Sequence, residues 1–118
     1  MKSWYQKHLG LQTDAYGTNF EWRTAEDPSQ KGFTQWSPMP KESAYLKPSN
    51  HTFMMNYRVA DLSALIPILI QEGVQILDEI EEFEYGKFVH ILDLEGNKIE
   101  LWEPFDEAYD QIVDGRTK

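Results

Sequence analysis

The chain is 118 residues long, 41% hydrophobic and 14% aromatic, which is enough to build one packed domain without covalent staples. It has no cysteine, so disulfides, thiolate metal sites and a cysteine nucleophile are excluded, and any metal chemistry falls to His, Asp, Glu or water. A formal charge of −9, from 20 acidic against 11 basic residues, repels phosphate backbones and anionic lipids, so neither nucleic acid nor membrane is expected as a partner.

Residues 1–10 are polar and interrupted by Lys2, Lys7 and His8, unlike a signal peptide, and the longest apolar run, Leu65 to Ile70, falls far short of the roughly 20 residues that cross a bilayer. A cytoplasmic protein is the expectation. Residues 2–9 read as a short helix with Trp4, Tyr5 and Leu9 on its apolar side and Gly10 in the place of a left-handed cap. Thr18 to Arg23 alternates polar with aromatic residues as a strand does. EDPSQKG is rich in turn formers, and Gly32 to Trp36 is placed to return antiparallel. Between Ser37 and Asn50 lie three of the six prolines and no periodicity, so this stretch reads as a linker or as a lid that carries Tyr45 and Lys47 inward.

Phe53 to Val59 is the next strand candidate. Asp61 or Ser63 then caps a helix whose Leu62, Leu65, Ile66, Leu69 and Ile70 recur at helical spacing, with Gly73 closing it and Pro67 bending its early turns. Val74 to Leu77 resembles a short strand, and the acidic DEIEEFEYG reads as a solvated connection without calcium-loop spacing. Lys87 to Leu92 and Ile99 to Trp102 form a hairpin across LEGN. In the tail, Phe105, Tyr109 and Ile112 mark one side of an amphipathic helix that docks on the domain or on a partner subunit.

The halves repeat. DPSQKGFTQWSP matches DLEGNKIELWEP at an offset of 66, and the helix ends at Gly10 and Gly73 match at an offset of 63. Within one domain spanning 1–118, this divides the chain into a first module at 1–38, a linker at 39–52, a second module at 53–104 and a tail at 105–118.

WYQKHLGL, the FEWR strand, FMMNYRV leading into a helix and above all GKFVHILDLEGNKIELWEP resemble the glyoxalase, bleomycin-resistance and dioxygenase superfamily, also called vicinal oxygen chelate proteins. The resemblance implies an α+β fold of paired βαβββ modules whose curved sheets form a cleft. It implies metal ligands, where present, on inward-facing strand positions, and it leaves the activity open, since members include isomerases, dioxygenases, thiol transferases and drug-sequestering proteins. The first module departs from the pattern, because Met1 stands directly before its helix where a leading strand is expected. Loss of that strand, a trimmed start and an edge supplied by a partner are three readings of the departure, and an open sheet edge invites association as a homodimer.

Of the four ligand positions the resemblance implies, the first strand is missing, the second falls on Thr34, the third on Met54 and the last on Glu100, so only Glu100 has a suitable donor. A catalytic divalent ion needs about three protein ligands. No HxH, HxxxH or HxxE spacing supplies them from His8, His51 or His90. Strand alternation places Ile99 and Leu101 on one face and Lys98, Glu100 and Trp102 on the other, with Met54, Asn56 and Arg58 sharing a face likewise. Glu100 is then either a solvent-facing strand residue or a group aimed into a cavity, and the large Trp102 and Met54 beside it favour the cavity.

In such a cavity Arg58 pairs with Glu100 or meets an acidic ligand group, Asn56 orients a carbonyl, and Trp102, Trp36 and Trp22 form flat walls. His90 alone has the natural pKa for acid–base work near neutrality. The preferred reading is a metal-independent small-molecule-binding protein without a cofactor, its ligand met by Asn56, Arg58, Glu100, Trp102, Met54, Thr34, Trp36 and His90. The alternative is a metal-dependent lyase, isomerase or dioxygenase with a divalent ion on Glu100.

Overall fold

The computed structural model describes residues 1–113. The chain divides into two compact units, Met1–Met39 with the segment from Asp106 onward, and Pro40–Phe105.

In the first unit, helix α1 (Lys2–Leu9) ends on Gly10, whose φ of 71° is left-handed and whose N–H closes on the Gln6 carbonyl. Among the described residues no strand precedes it. The helix buries none of its residues: Trp4 and Leu9 are more than half exposed, and Tyr5 packs edge-on against Trp36 at 4.6 Å. Strands β1 (Thr18–Arg23) and β2 (Lys31–Trp36) pair antiparallel with Phe20 opposite Thr34 and Trp22 opposite Gly32. Gly32 is needed there because the Trp22 indole lies where its Cβ would stand. Helix α3 (Asp106–Val113) packs on this hairpin through Tyr109, which meets the Phe33 ring at 5.2 Å and donates its hydroxyl to Asn19 Oδ1 at 2.6 Å, and its Val113 is buried as well. The expected helix therefore exists. Its inner side is Tyr109 and Val113, because Ile112, expected inside, is 37% exposed. Residues 114–118 of the expected tail lie outside the described residues.

The second unit holds β3 (Met55–Arg58), α2 (Leu62–Gln71), β4 (Glu81–Phe83), β5 (Gly86–Leu92) and β6 (Lys98–Pro104), in one sheet of order β3-β6-β5-β4. β3 runs parallel to β6 and the other pairs are antiparallel. This is a βαβββ order, as the resemblance implied. Asp61 caps α2 by accepting from Ala64 N at 3.1 Å, and the Glu103 carboxylate reaches over from β6 to accept from Leu62 N at 2.8 Å. Two acidic groups on the first turn complement the exposed N–H groups and the positive end of the helix dipole. Pro67 is accommodated inside the helix.

The core forms where α2 covers one face of this sheet: Leu62, Val89, Ile91 and Leu101 are buried, and Leu65, Ile66, Leu69, Val74, Ile76 and Ile99 pack on them. Ile70, expected in the helix stripe, is 59% exposed. The stripe is one residue narrower than its spacing suggested, since Leu62, Leu65, Ile66 and Leu69 already span the contact face.

Two strand assignments shift. The expected strand Val74–Leu77 is a single bridge from Ile76 to Ile91, with Leu77 N donating to the His90 carbonyl at 2.8 Å. It stops there because the next residue, Asp78, offers its side chain in place of a backbone acceptor, taking His90 N at 2.7 Å. The acidic connection instead supplies β4, whose Glu81, Glu82 and Phe83 are all exposed. Charge on such an edge strand opposes further pairing.

Leu62→Ala is expected to cost about 3 kcal/mol, as a buried leucine in a packed core does, and Ile70→Ala less than about 0.5 kcal/mol. Urea denaturation of both variants distinguishes this face from the wider stripe that the spacing alone suggests.

Candidate functional site

The face of the second sheet opposite α2 is assembled by register. His90 on β5 lies directly across from Glu100 on β6, and Asn56 on β3 lies across from Glu100 on the other side. The backbone N–H and carbonyl of His90 both turn away from β6, to Asp78 and Leu77. His90 and Glu100 are thus a non-hydrogen-bonded pair of an antiparallel ladder, the kind whose side chains approach more closely.

The side chains make one network. His90 Nε2 is 2.8 Å from Glu100 Oε2, and His90 Nδ1 is 2.6 Å from Asp78 Oδ2. Asn56 Nδ2 donates to Glu100 Oε1 at 2.6 Å, and the Tyr45 hydroxyl donates to Glu100 Oε2 at 2.5 Å while lying 3.0 Å from His90 Nε2. Tyr45 comes from a single 3₁₀ turn, Ala44–Leu46, in the proline-rich segment. Lys98 holds that turn, donating from Nζ to the Tyr45 carbonyl at 2.6 Å and sitting 4.6 Å from the Tyr45 ring centre. His90 and Lys98 are each 8% exposed.

With a carboxylate on each ring nitrogen, His90 satisfies both as the doubly protonated imidazolium. Burial by itself pushes the imidazole pKa down, but the bonds and charges of Glu100 and Asp78 outweigh it and raise His90 above its ordinary 6.5. Burial likewise pushes Glu100 up, and the donors His90, Tyr45 and Asn56 outweigh it, holding the carboxyl below its ordinary 4.5. Burial first and the Glu100 carboxylate second drive the Tyr45 phenol well above its ordinary range.

The site residues named from the sequence are distributed as follows. Asn56, Glu100 and His90 meet. Trp102 shares their face and is 6% exposed, its indole stacked on Phe88 at 5.8 Å, its Nε1 donating to the Tyr85 carbonyl at 3.3 Å, and the Arg58 guanidinium lying 5.4 Å from its ring centre. Gly86 permits this, since a Cβ there would strike Trp102 Nε1 and its φ of 146° is left-handed. Met54 is half-buried just before β3. Thr34 and Trp36 belong to the first unit, Thr34 accepting from Trp22 Nε1 at 3.2 Å and Trp36 packing on Tyr5.

Three members of the network, Asp78, Tyr45 and Lys98, carried no site role in the sequence-based residue set. The proline-rich stretch hinted at Tyr45 as an inward group. Lys47, expected beside it, is exposed and lines a shallow polar cavity of about 290 Å³ with Ser43, Ser49 and His51. Asp78 was hidden in an acidic run that read as solvated, and no local pattern marks it.

The arrangement does not fit a divalent ion. The two carboxylates lie on opposite edges of the His90 ring and are held there by its protons, so they do not converge on a point about 2.1 Å from each donor. No group of three His, Asp or Glu among the described residues is placed to hold a metal.

The linkage signs are opposite for the two charged partners. Lowered Glu100 adds stability in full above 4.5 that is lost as pH falls through its folded value; raised His90 adds stability in full below 6.5 that is lost as pH rises through its folded value. The melting-temperature difference between the native protein and Glu100→Gln should therefore be largest between pH 4.5 and 6.5 and shrink on both sides. In the same variant the His90 imidazole, followed by NMR, should titrate at lower pH than in the native protein.

Comparison with known proteins agrees with this fold. The family profile of the Glyoxalase/Bleomycin resistance protein/Dioxygenase superfamily matches residues 1–101. None of the curated proteins compared matches the chain. Among solved structures, one described as the crystal structure of NAD-dependent benzaldehyde dehydrogenase from Legionella pneumophila is similar, with a TM-score of 0.50 and 10% identity over 87% of each chain, a likeness of fold alone. The profile spans both units up to Leu101 on the last strand, and the chain belongs to the Glyoxalase/Bleomycin resistance protein/Dioxygenase superfamily.

Proposed function

We propose that the protein is a metal-independent small-molecule-binding member of its superfamily, with Glu100 and its neighbours as the polar anchor. The observation that carries this reading is that Glu100 already has three protein donors, Tyr45, Asn56 and His90. A carboxylate so satisfied and held below its ordinary pKa is a fixed acceptor. It is neither a poised acid, which burial would have to raise, nor an open metal ligand. Beside it the Phe88–Trp102 stack with Arg58 gives a flat apolar flank next to a few directed polar groups, the combination that small-molecule sites use.

Protein purified without a histidine tag should contain no stoichiometric nickel, zinc, manganese or iron. A ligand found by small-molecule screening should bind at least about tenfold more weakly to Asn56→Ala or Trp102→Ala, the loss of one good contact. Tight stoichiometric metal that disappears in Glu100→Gln would overturn the reading in favour of a metal-dependent lyase, isomerase or dioxygenase.

The protein is also proposed to act as a homodimer. β3 lies at an edge of its sheet, and Met55 and Tyr57 on it are about half exposed. Light scattering at micromolar concentration should give twice the chain mass, and a monomer would refute it.

A further inference from the structure

We propose that Tyr45 is a displaceable occupant of a slot for a small hydroxylated aromatic molecule, whose hydroxyl takes the place of the tyrosine hydroxyl on Glu100. This rests on the binding reading above and names the ligand class for that site.

The backbone at Tyr45 is held independently of its ring. Lys98 Nζ grips the Tyr45 carbonyl at 2.6 Å, Ser43 Oγ accepts from Tyr45 N at 3.3 Å, and the adjacent Leu46 is buried at 2% exposure. The tyrosine itself is 46% exposed. Its hydroxyl meets Glu100 and His90, its ring stands edge-on to the His90 ring at 5.4 Å, and Lys98 lies over one side. Rotation about χ1 can therefore carry the ring into solvent while the 3₁₀ turn stays in place, a motion open to exposed side chains on fast timescales.

What the ring leaves behind has the complementarity of a phenol. Glu100 Oε2 keeps His90 Nε2 at 2.8 Å but loses its O–H donor when the ring leaves, and a largely buried carboxylate short of a donor is costly. The Lys98 ammonium needs an electron-rich ring face. The His90 edge completes the wall. A ring without a hydroxyl leaves Glu100 short of a donor, and a ligand carboxylate sets lone pairs against lone pairs. Bound to such a site, the ligand competes with Tyr45, so the apparent affinity of the native protein is the intrinsic affinity reduced by the fraction of time the slot is open.

The probe is 4-methylphenol, the tyrosine side chain cut at its Cβ, with toluene and 4-methylbenzoate as controls, read by calorimetry and by the NMR shift of the His90 imidazole. Tyr45→Ala should bind 4-methylphenol about tenfold or more tightly than the native protein, as removal of an internal competitor predicts. The controls should not bind, and adding Glu100→Gln should abolish the gain. Tyr45→Phe, which keeps the ring and loses its bond to Glu100, should fall between the two and serves the same test if the alanine variant does not fold. Equal affinity for 4-methylphenol in native protein and variants, or toluene binding as well as 4-methylphenol, would overturn the inference. If 4-methylphenol binds none of them while a screened ligand still depends on Asn56, the slot is refuted and the broader binding reading stands.

Discussion

The register of the antiparallel pair β5 and β6 sets both faces of the second unit. With Val89 opposite Leu101 and Ile91 opposite Ile99, one face becomes the apolar surface that α2 covers; with His90 opposite Glu100, the other becomes the polar site. A slip of one residue would exchange the faces, putting an ion pair under the helix and the core in water. The same side chains thus fix core and site together, and hydrophobic burial of Leu62 against Val89 and Leu101 holds the charged network in geometry from the far side of the sheet.

The network is self-contained because His90 is bracketed. Two carboxylates meet its two nitrogens, while Asn56 and Tyr45 fill remaining acceptor positions on Glu100. In a partly desolvated setting, such groups rigidify one another when all are satisfied and destabilise when one is removed. That is why His90 is raised and Glu100 lowered, the directions that keep both ions charged. The His90 ring fills the space between the two carboxylates, with Glu100 on one nitrogen and Asp78 on the other.

Much of the fold was legible because it rests on local signals. Periodicity located α1, α2, the two hairpins and the strand before α2, and glycine marked the end of α1 at Gly10. The repeat between DPSQKGFTQW and DLEGNKIELW identified closing hairpins in both halves, which the structure forms as β1–β2 and β5–β6. Where local signals were weak, expectation drifted. Val74–Leu77 looked like a strand from its β-branched residues, yet pairing there is limited by the neighbouring Asp78, and β4 grew from residues whose charge suggested none. Ile70 and Ile112 were placed inward by spacing and face out, since spacing defines a stripe and only the partner surface decides its width.

The sequence by itself determined that Glu100 faces away from the helix-covered side and that it shares its face with Lys98 and Trp102. These follow from strand alternation, which is a property of adjacent residues. Only the tertiary structure decided what Glu100 touches. Tyr45 lies 55 residues away along the chain, Asn56 lies 44 away, and Asp78 reaches the carboxylate only through His90, 12 residues from it. Contacts at such separations depend on strand order, on where an edge bridge stops and on a lysine holding a turn, and none of these is written in the spacing of neighbours.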